Sequence, residues 1–141
     1  MDGTMTDTTT TLTKSFVLPL PAAQAWDWLT KADKLAEWFN PHDGDLALGK
    51  PYAHIGQDGA KMCWGEVLAF EPPKRLRQSF TVRPLGGVMT EVEWVLTDIP
   101  GGTLIELTHS GIPAGEGGEL GVLAHLDAGW DKHIGSLRGS V

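Results

Sequence analysis

One cysteine, Cys63, stands in the 141 residues, so an intrachain disulfide is excluded and a thiolate-based zinc site has a single sulfur to draw on. Long apolar runs are missing as well: none approaches the roughly 18–20 residues that cross a bilayer. Residues 1–14 lack both the basic start and the apolar segment of a secretory signal, which makes the cytoplasm the expected compartment. Positive charge is scarce, with 11 Lys and Arg against 18 Asp and Glu, a net charge of −7. The few basic residues are dispersed, so nucleic acid is not an expected partner. No G-x-S-x-G elbow or Cys-His signature is present. Gly115-Glu116-Gly117-Gly118 precedes a helical pattern but lacks the Lys and Ser/Thr of a phosphate loop, and reads as a hinge near a pocket mouth.

What remains is the composition of a folded domain, 41% hydrophobic and 21% charged. The Thr- and Asp-rich residues 1–11 have little to bury and are expected to form a disordered tail, leaving residues 12–141 as a single domain. Residues 12–18 read as a first strand, closed by Pro19-Leu20-Pro21, with Pro21 suited to the first position of a helix. Ala22, Ala25, Trp26 and Leu29 share a helical face. Thr30 and Asp33 resemble a capping box that opens a second short helix through Leu35, Trp38 and Phe39, ended by Pro41; the pair is expected across the sheet edge.

From Asp45 the period changes to strands broken by turn residues, which indicates an antiparallel meander. Residues 62–70 are apolar on both faces, and the alternation leaves their inward face unassigned. Val92, Trp94 and Leu96 on one run, and Ile105, Leu107 and His109 on the next, form inward registers around the Pro100-Gly101-Gly102 turn. Leu123, Leu126, Trp130, Ile134 and Leu137 then fall on one narrow stripe of a helix starting near Glu119. Gly129 beside that stripe suggests close approach to a neighbour. A sheet followed by one long helix predicts α+β packing, the helix covering one sheet face.

The order and spacing of several short motifs point further. They are Pro21, Trp26, Leu29, Thr30 and Trp38-Phe39; Gly65-x-Val67; Pro72-Pro73-x-x-Leu76; Val92-x-Trp94-x-Leu96; Gly102-Thr103; Leu107-Thr108-His109-Ser110-Gly111; and Gly129-Trp130. Together, over nearly all of residues 16–137, they resemble the bacterial heat-shock-protein ATPase activator-like family of the START-like (SRPBCC) helix-grip superfamily. The resemblance implies a curved antiparallel sheet gripping a long C-terminal helix, with two short helices near the N-terminus and a cavity between sheet and helix. One departure from the family pattern is expected: the chain stops soon after Leu137, which makes its final helix shorter than many relatives have. Such folds host transport, cyclisation and chaperone contacts alike, so function has to come from the site.

The candidate ligand-binding aromatics are Trp28, Phe39, Trp64, Phe80, Trp94 and Trp130, whose flat side chains can line a cavity. His109, Leu123 and Leu126 complete the set. Trp26 and Trp38 read instead as staples holding the short helices to the sheet. His109 is the polar candidate inside, either orienting a ligand or buried and bonded to the Ser110-Gly111 loop, with no second catalytic group at a recognisable spacing. His125 and His133 with Asp127 and Asp131 do not converge as three metal ligands and read as a solvated helix face; His42 and His54 look isolated. Cys63 reads as a small core residue.

Three functions follow. The first is a binding protein for a small, largely apolar molecule; the second is a co-chaperone-like module acting through its acidic surface. The third is a weak cyclase- or hydrolase-type enzyme using His109. No metal, cofactor or membrane span is expected.

Overall fold

The computed structural model describes residues 9–39, 42–56, 58–85, 87–113 and 119–141. In chain order the elements are β1 (Thr9–Leu18), α1 (Ala22–Thr30), α2 (Ala32–Trp38), β2 (Pro51–Ile55), β3 (Lys61–Glu71), β4 (Arg75–Val82), β5 (Thr90–Ile99), β6 (Gly102–Pro113) and α3 (Glu119–Ser140). All strands pair antiparallel in one sheet of order β1-β6-β5-β4-β3-β2. The expected meander therefore runs from β2 to β6, and β1 docks on the outside of β6. This is an α+β helix-grip architecture, with α3 laid on one face of a curved sheet.

The inward registers of the central strands are as the alternation predicts. Val92, Trp94 and Leu96 on β5 and Ile105, Leu107 and His109 on β6 are all buried. Trp94 sits opposite Leu76 on one side and Leu107 on the other, so three strands contribute to one apolar row. On α3 the stripe of Leu126, Trp130, Ile134 and Leu137 is buried, while Leu123 is half-buried. Burying each Leu- or Ile-sized side chain contributes about 1.5–3 kcal/mol, so this stripe is what fastens α3 to the sheet. Lys14 of β1 adds an ion pair to Asp127 and one to Asp131, a turn apart on α3. Those two aspartates thus hold a lysine.

Two glycines of the motif set are explained by close backbone approach. A Cβ on Gly65 would lie 2.0 Å from the Ser79 carbonyl oxygen of β4, and one on Gly102 would lie 2.3 Å from the Leu18 carbonyl oxygen of β1. Next to the second, the buried Thr103 hydroxyl donates to the Leu20 carbonyl at 2.6 Å, tying the start of β6 to the chain leaving β1.

Several local expectations are corrected. β1 begins at Thr9, because Thr9 and Thr10 find partners in Pro113 and Ile112 at the end of β6, so residues 9–11 are strand rather than tail; residues 1–8 lie outside the described residues. Pro21 caps α1 rather than opening it, and Asp98 at the end of β5 accepts the Ala22 N–H at 3.1 Å. The Thr30–Asp33 capping box does not form: Thr30 is the last residue of α1 and its hydroxyl donates back to the Trp26 carbonyl. Asp45 takes the Ala32 N–H instead, at 2.8 Å. The helix pair lies not across a sheet edge but at the β5–β6 hairpin end, where Asp98 and Thr103 anchor it. Trp26 and Trp38 are buried there as staples.

The ambiguity of residues 62–70 also has a physical cause. A bulge between Val67 and Ala69 shifts the register, so Cys63 and Val67 face inward before it and Phe70 after it, meeting Trp26 edge-on at 5.3 Å. The Pro41 stop and the hinge at residues 115–118 lie outside the described residues. Among the described residues no helix is long and apolar enough to cross a membrane.

Candidate functional site

Between α3 and the outer strands lies a cavity of about 340 Å³. From α3 it is lined by His125, Leu126, Gly129, Trp130 and His133. β3 supplies Met62 and Cys63, β4 supplies Phe80 and Val82, and Arg83 follows directly on β4. Phe39, just past α2, closes the remaining side.

Trp130 is the centre of this arrangement. Its ring lies 5.6 Å from Phe80, 5.8 Å from Phe39 and 5.6 Å from Trp94, the last two edge-on. Its indole N–H points the other way and donates to His109 Nδ1 at 3.0 Å. An indole only donates, so Nδ1 accepts and Nε2 carries the proton. Nε2 then donates to the Thr90 hydroxyl at 2.7 Å, and that hydroxyl donates to the Phe80 carbonyl at 2.6 Å. The polarity of this chain is fixed end to end, and it requires a neutral imidazole. Burial agrees, pushing the His109 pKa down to about 4. His109 is thus inside, as its register predicts, but fully enclosed behind Trp130, and its partners are Thr90 and Trp130 rather than the Ser110-Gly111 loop.

Of the nine expected ligand-binding residues, the structure brings Phe39, Phe80, Leu126 and Trp130 to the cavity wall. Trp94 packs behind Trp130 and against Trp38, 6.2 Å away edge-on. Leu123 and His109 are not on the wall. Trp28 lies on α1 away from the cavity, with its carbonyl accepting from the Trp38 indole and the Lys34 ammonium 4.7 Å from its ring centre. Trp64 is half-buried on the opposite face of β3 from Cys63.

Met62, Cys63, Val82, Arg83, His125, Gly129 and His133 are wall residues that the sequence reading did not select. His125, Gly129 and His133 sit one position before Leu126, Trp130 and Ile134, so the cavity is bordered by the row next to the buried stripe, with His125 exposed and Gly129 and His133 half-buried, and the row itself was the available signal. Gly129 does not permit close approach: a Cβ there would meet nothing within 4 Å, because it would point into open cavity. His133 is not a solvated face residue either; its ring packs on Phe39 at 4.3 Å, and burial lowers its pKa. Cys63 is buried, which pushes its thiol well above the usual range and leaves it an unreactive wall group. His42 and His54, expected to be isolated, meet with ring centres 3.6 Å apart, and the His54 ring packs on Phe39 with centres 4.0 Å apart. Among the described residues no group of three or more His, Cys, Asp or Glu is placed to hold a metal ion.

A sheet gripping one long helix over an apolar cavity defines a helix-grip protein. The chain belongs to the family described as Activator of Hsp90 ATPase homolog 1-like protein, whose sequence profile matches residues 19–141. Solved structures with this fold include protein MLL2253 from Mesorhizobium loti, at TM-score 0.80 and 22% identity over 92% of this chain and 95% of that one. The Aha1 dimer from Colwellia psychrerythraea aligns at TM-score 0.76 and 19% identity, over 92% of this chain and 93% of that one. CalU16 from Micromonospora echinospora aligns at TM-score 0.74 and 27% identity, over 91% of this chain and 63% of that one. No curated protein matches significantly.

Proposed function

We propose that the protein binds a small, largely apolar molecule in the cavity beneath α3. The observation that carries this reading is the cavity itself: about 340 Å³, walled by the Phe39, Phe80 and Trp130 rings with Leu126 and Val82. That volume falls within the roughly 300–1,000 Å³ range of small-molecule sites. Membership of the family is compatible with a protein partner too, but the cavity favours the small molecule. The enclosure of His109 speaks for binding over catalysis, since its two ring nitrogens are both committed to protein groups.

The test uses Gly129, whose missing side chain opens the wall. The neutral fluorescent probe N-phenyl-1-naphthylamine should bind the wild type at one saturable site with a blue-shifted emission. Gly129→Leu, which improves helix propensity while filling the space, should lose that site. A wild type that leaves the probe in water, or a variant that binds it equally well, overturns the proposal.

A further inference from the structure

We propose that the cavity selects an aromatic molecule bearing a neutral hydroxyl group, and that Nε2 of His133 accepts the hydrogen bond from that hydroxyl. This rests on the reading that the cavity binds a small apolar molecule, and it adds the polar handle that such a site needs for orientation.

The geometry starts at the other ring nitrogen. His133 Nδ1 lies 3.4 Å from the Trp38 carbonyl oxygen, a long hydrogen bond. A carbonyl only accepts, so Nδ1 carries the proton, and in a neutral ring Nε2 is then a lone-pair acceptor. Among the described residues Nε2 takes part in no hydrogen bond. The ring packs on Phe39 with centres 4.3 Å apart, and His133 is one of the residues that line the cavity. Burial favours the neutral form, and the neighbouring Lys132 charge acts in the same direction. The other titratable groups on the wall are His125, Arg83 and Cys63, none of them a carboxylate.

Ligand charge is decided by the rest of the wall. A cationic ligand would find no carboxylate among the lining residues. A carboxylate ligand would have to turn to Arg83, whose Nε already donates to the Lys61 carbonyl at 2.9 Å and whose Nη2 lies 3.3 Å from both Asp58 oxygens. A hydroxyl competes with no existing pair. The rings of Phe39 and Phe80 lie 5.8 and 5.6 Å from that of Trp130, and the three supply aromatic surfaces suited to stacking and edge contacts with a planar ring.

Naphthalene, 2-naphthol and 2-naphthoate share one ring system and differ in the polar group, so calorimetric titration of the three at pH 7 isolates the handle. The wild type should bind 2-naphthol about fivefold more tightly than naphthalene, the value of one net hydrogen bond, with 2-naphthoate weakest. In His133→Phe, which retains a ring against Phe39, the naphthol-to-naphthalene ratio should fall to about one, whereas in His125→Ala it should persist. Equal binding of naphthalene and 2-naphthol by the wild type overturns the handle and leaves the cavity reading standing. A preference for 2-naphthoate, or loss of the ratio in His125→Ala rather than His133→Phe, also overturns it. Failure of the wild type to bind any of the three overturns the cavity reading itself.

Discussion

Trp130 serves the core and the cavity with one side chain: its ring is wall, while its N–H is the first donor of the chain through His109 and Thr90 to the Phe80 carbonyl. That chain makes His109 a proton-refusing group. Below about pH 6.5 the unfolded chain binds a proton on this imidazole, whereas the folded chain resists until about pH 4. The stabilisation is therefore complete above pH 6.5 and declines as the pH falls toward 4, by about 1.4 kcal/mol per pH unit and roughly 3 kcal/mol in all. The lowered pKa of His133 contributes with the same sign. His109→Gln offers an oxygen to Trp130 and an N–H to Thr90 without a titration in this range. Urea unfolding at pH 7, 5.5 and 4.5 should show a variant somewhat less stable than wild type at pH 7 but with the shallower decline. Parallel declines would mean that His109 takes up its proton as readily folded as unfolded.

At the scale of elements, periodicity made most of the fold legible before the structure. The β5 and β6 alternations and most of the α3 stripe gave correct inward faces, because Val92–Leu96, Ile105–His109 and Leu126–Leu137 each keep a single period over the residues read. β3 did not, because its bulge switches the inward set from Cys63 and Val67 to Phe70 within one strand. The cavity row His125, Gly129 and His133 was illegible for a related reason. Two histidines and a glycine read as a polar face, and only the position of β3 and β4 opposite them turns that face into a wall. His109 could be placed inside but not assigned its partners, since Thr90 and Trp130 are 19 and 21 residues away in the chain. Glycines divide the same way. Gly65→Ala should fail to give a stable protein, because its Cβ would sit 2.0 Å from backbone. Nothing in the structure requires the exposed Gly135 of α3, around which a Cβ meets no atom within 4 Å. Gly135→Ala should therefore raise stability by about 0.8–1 kcal/mol in chemical denaturation, and a loss would reveal a contact that the fold does not contain.

For the whole molecule, the placement of α3 decides how a ligand would be felt. On one side the helix is fastened by Lys14 to Asp127 and Asp131 and by the Trp130–His109 bond. On the other, Trp130 meets Phe80 of β4, and beyond that contact the cavity separates the helix from β3 and β4. A bound molecule would join α3 to those strands where protein atoms do not, so binding should stabilise the native state as a unit rather than locally. With N-phenyl-1-naphthylamine at a hundred times its Kd, linkage gives about 2.7 kcal/mol, which for a domain of this size is a rise in Tm of roughly 8–10 °C. Gly129→Leu should melt above the ligand-free wild type, because its leucine replaces a helix-weakening glycine and buries apolar surface in the same space. The probe should then add nothing. Scanning calorimetry of both proteins with and without probe separates the cases: an equal probe-induced rise in both would move the binding site away from α3, and a variant that melts below wild type would mean that the space beside Gly129 cannot admit a side chain.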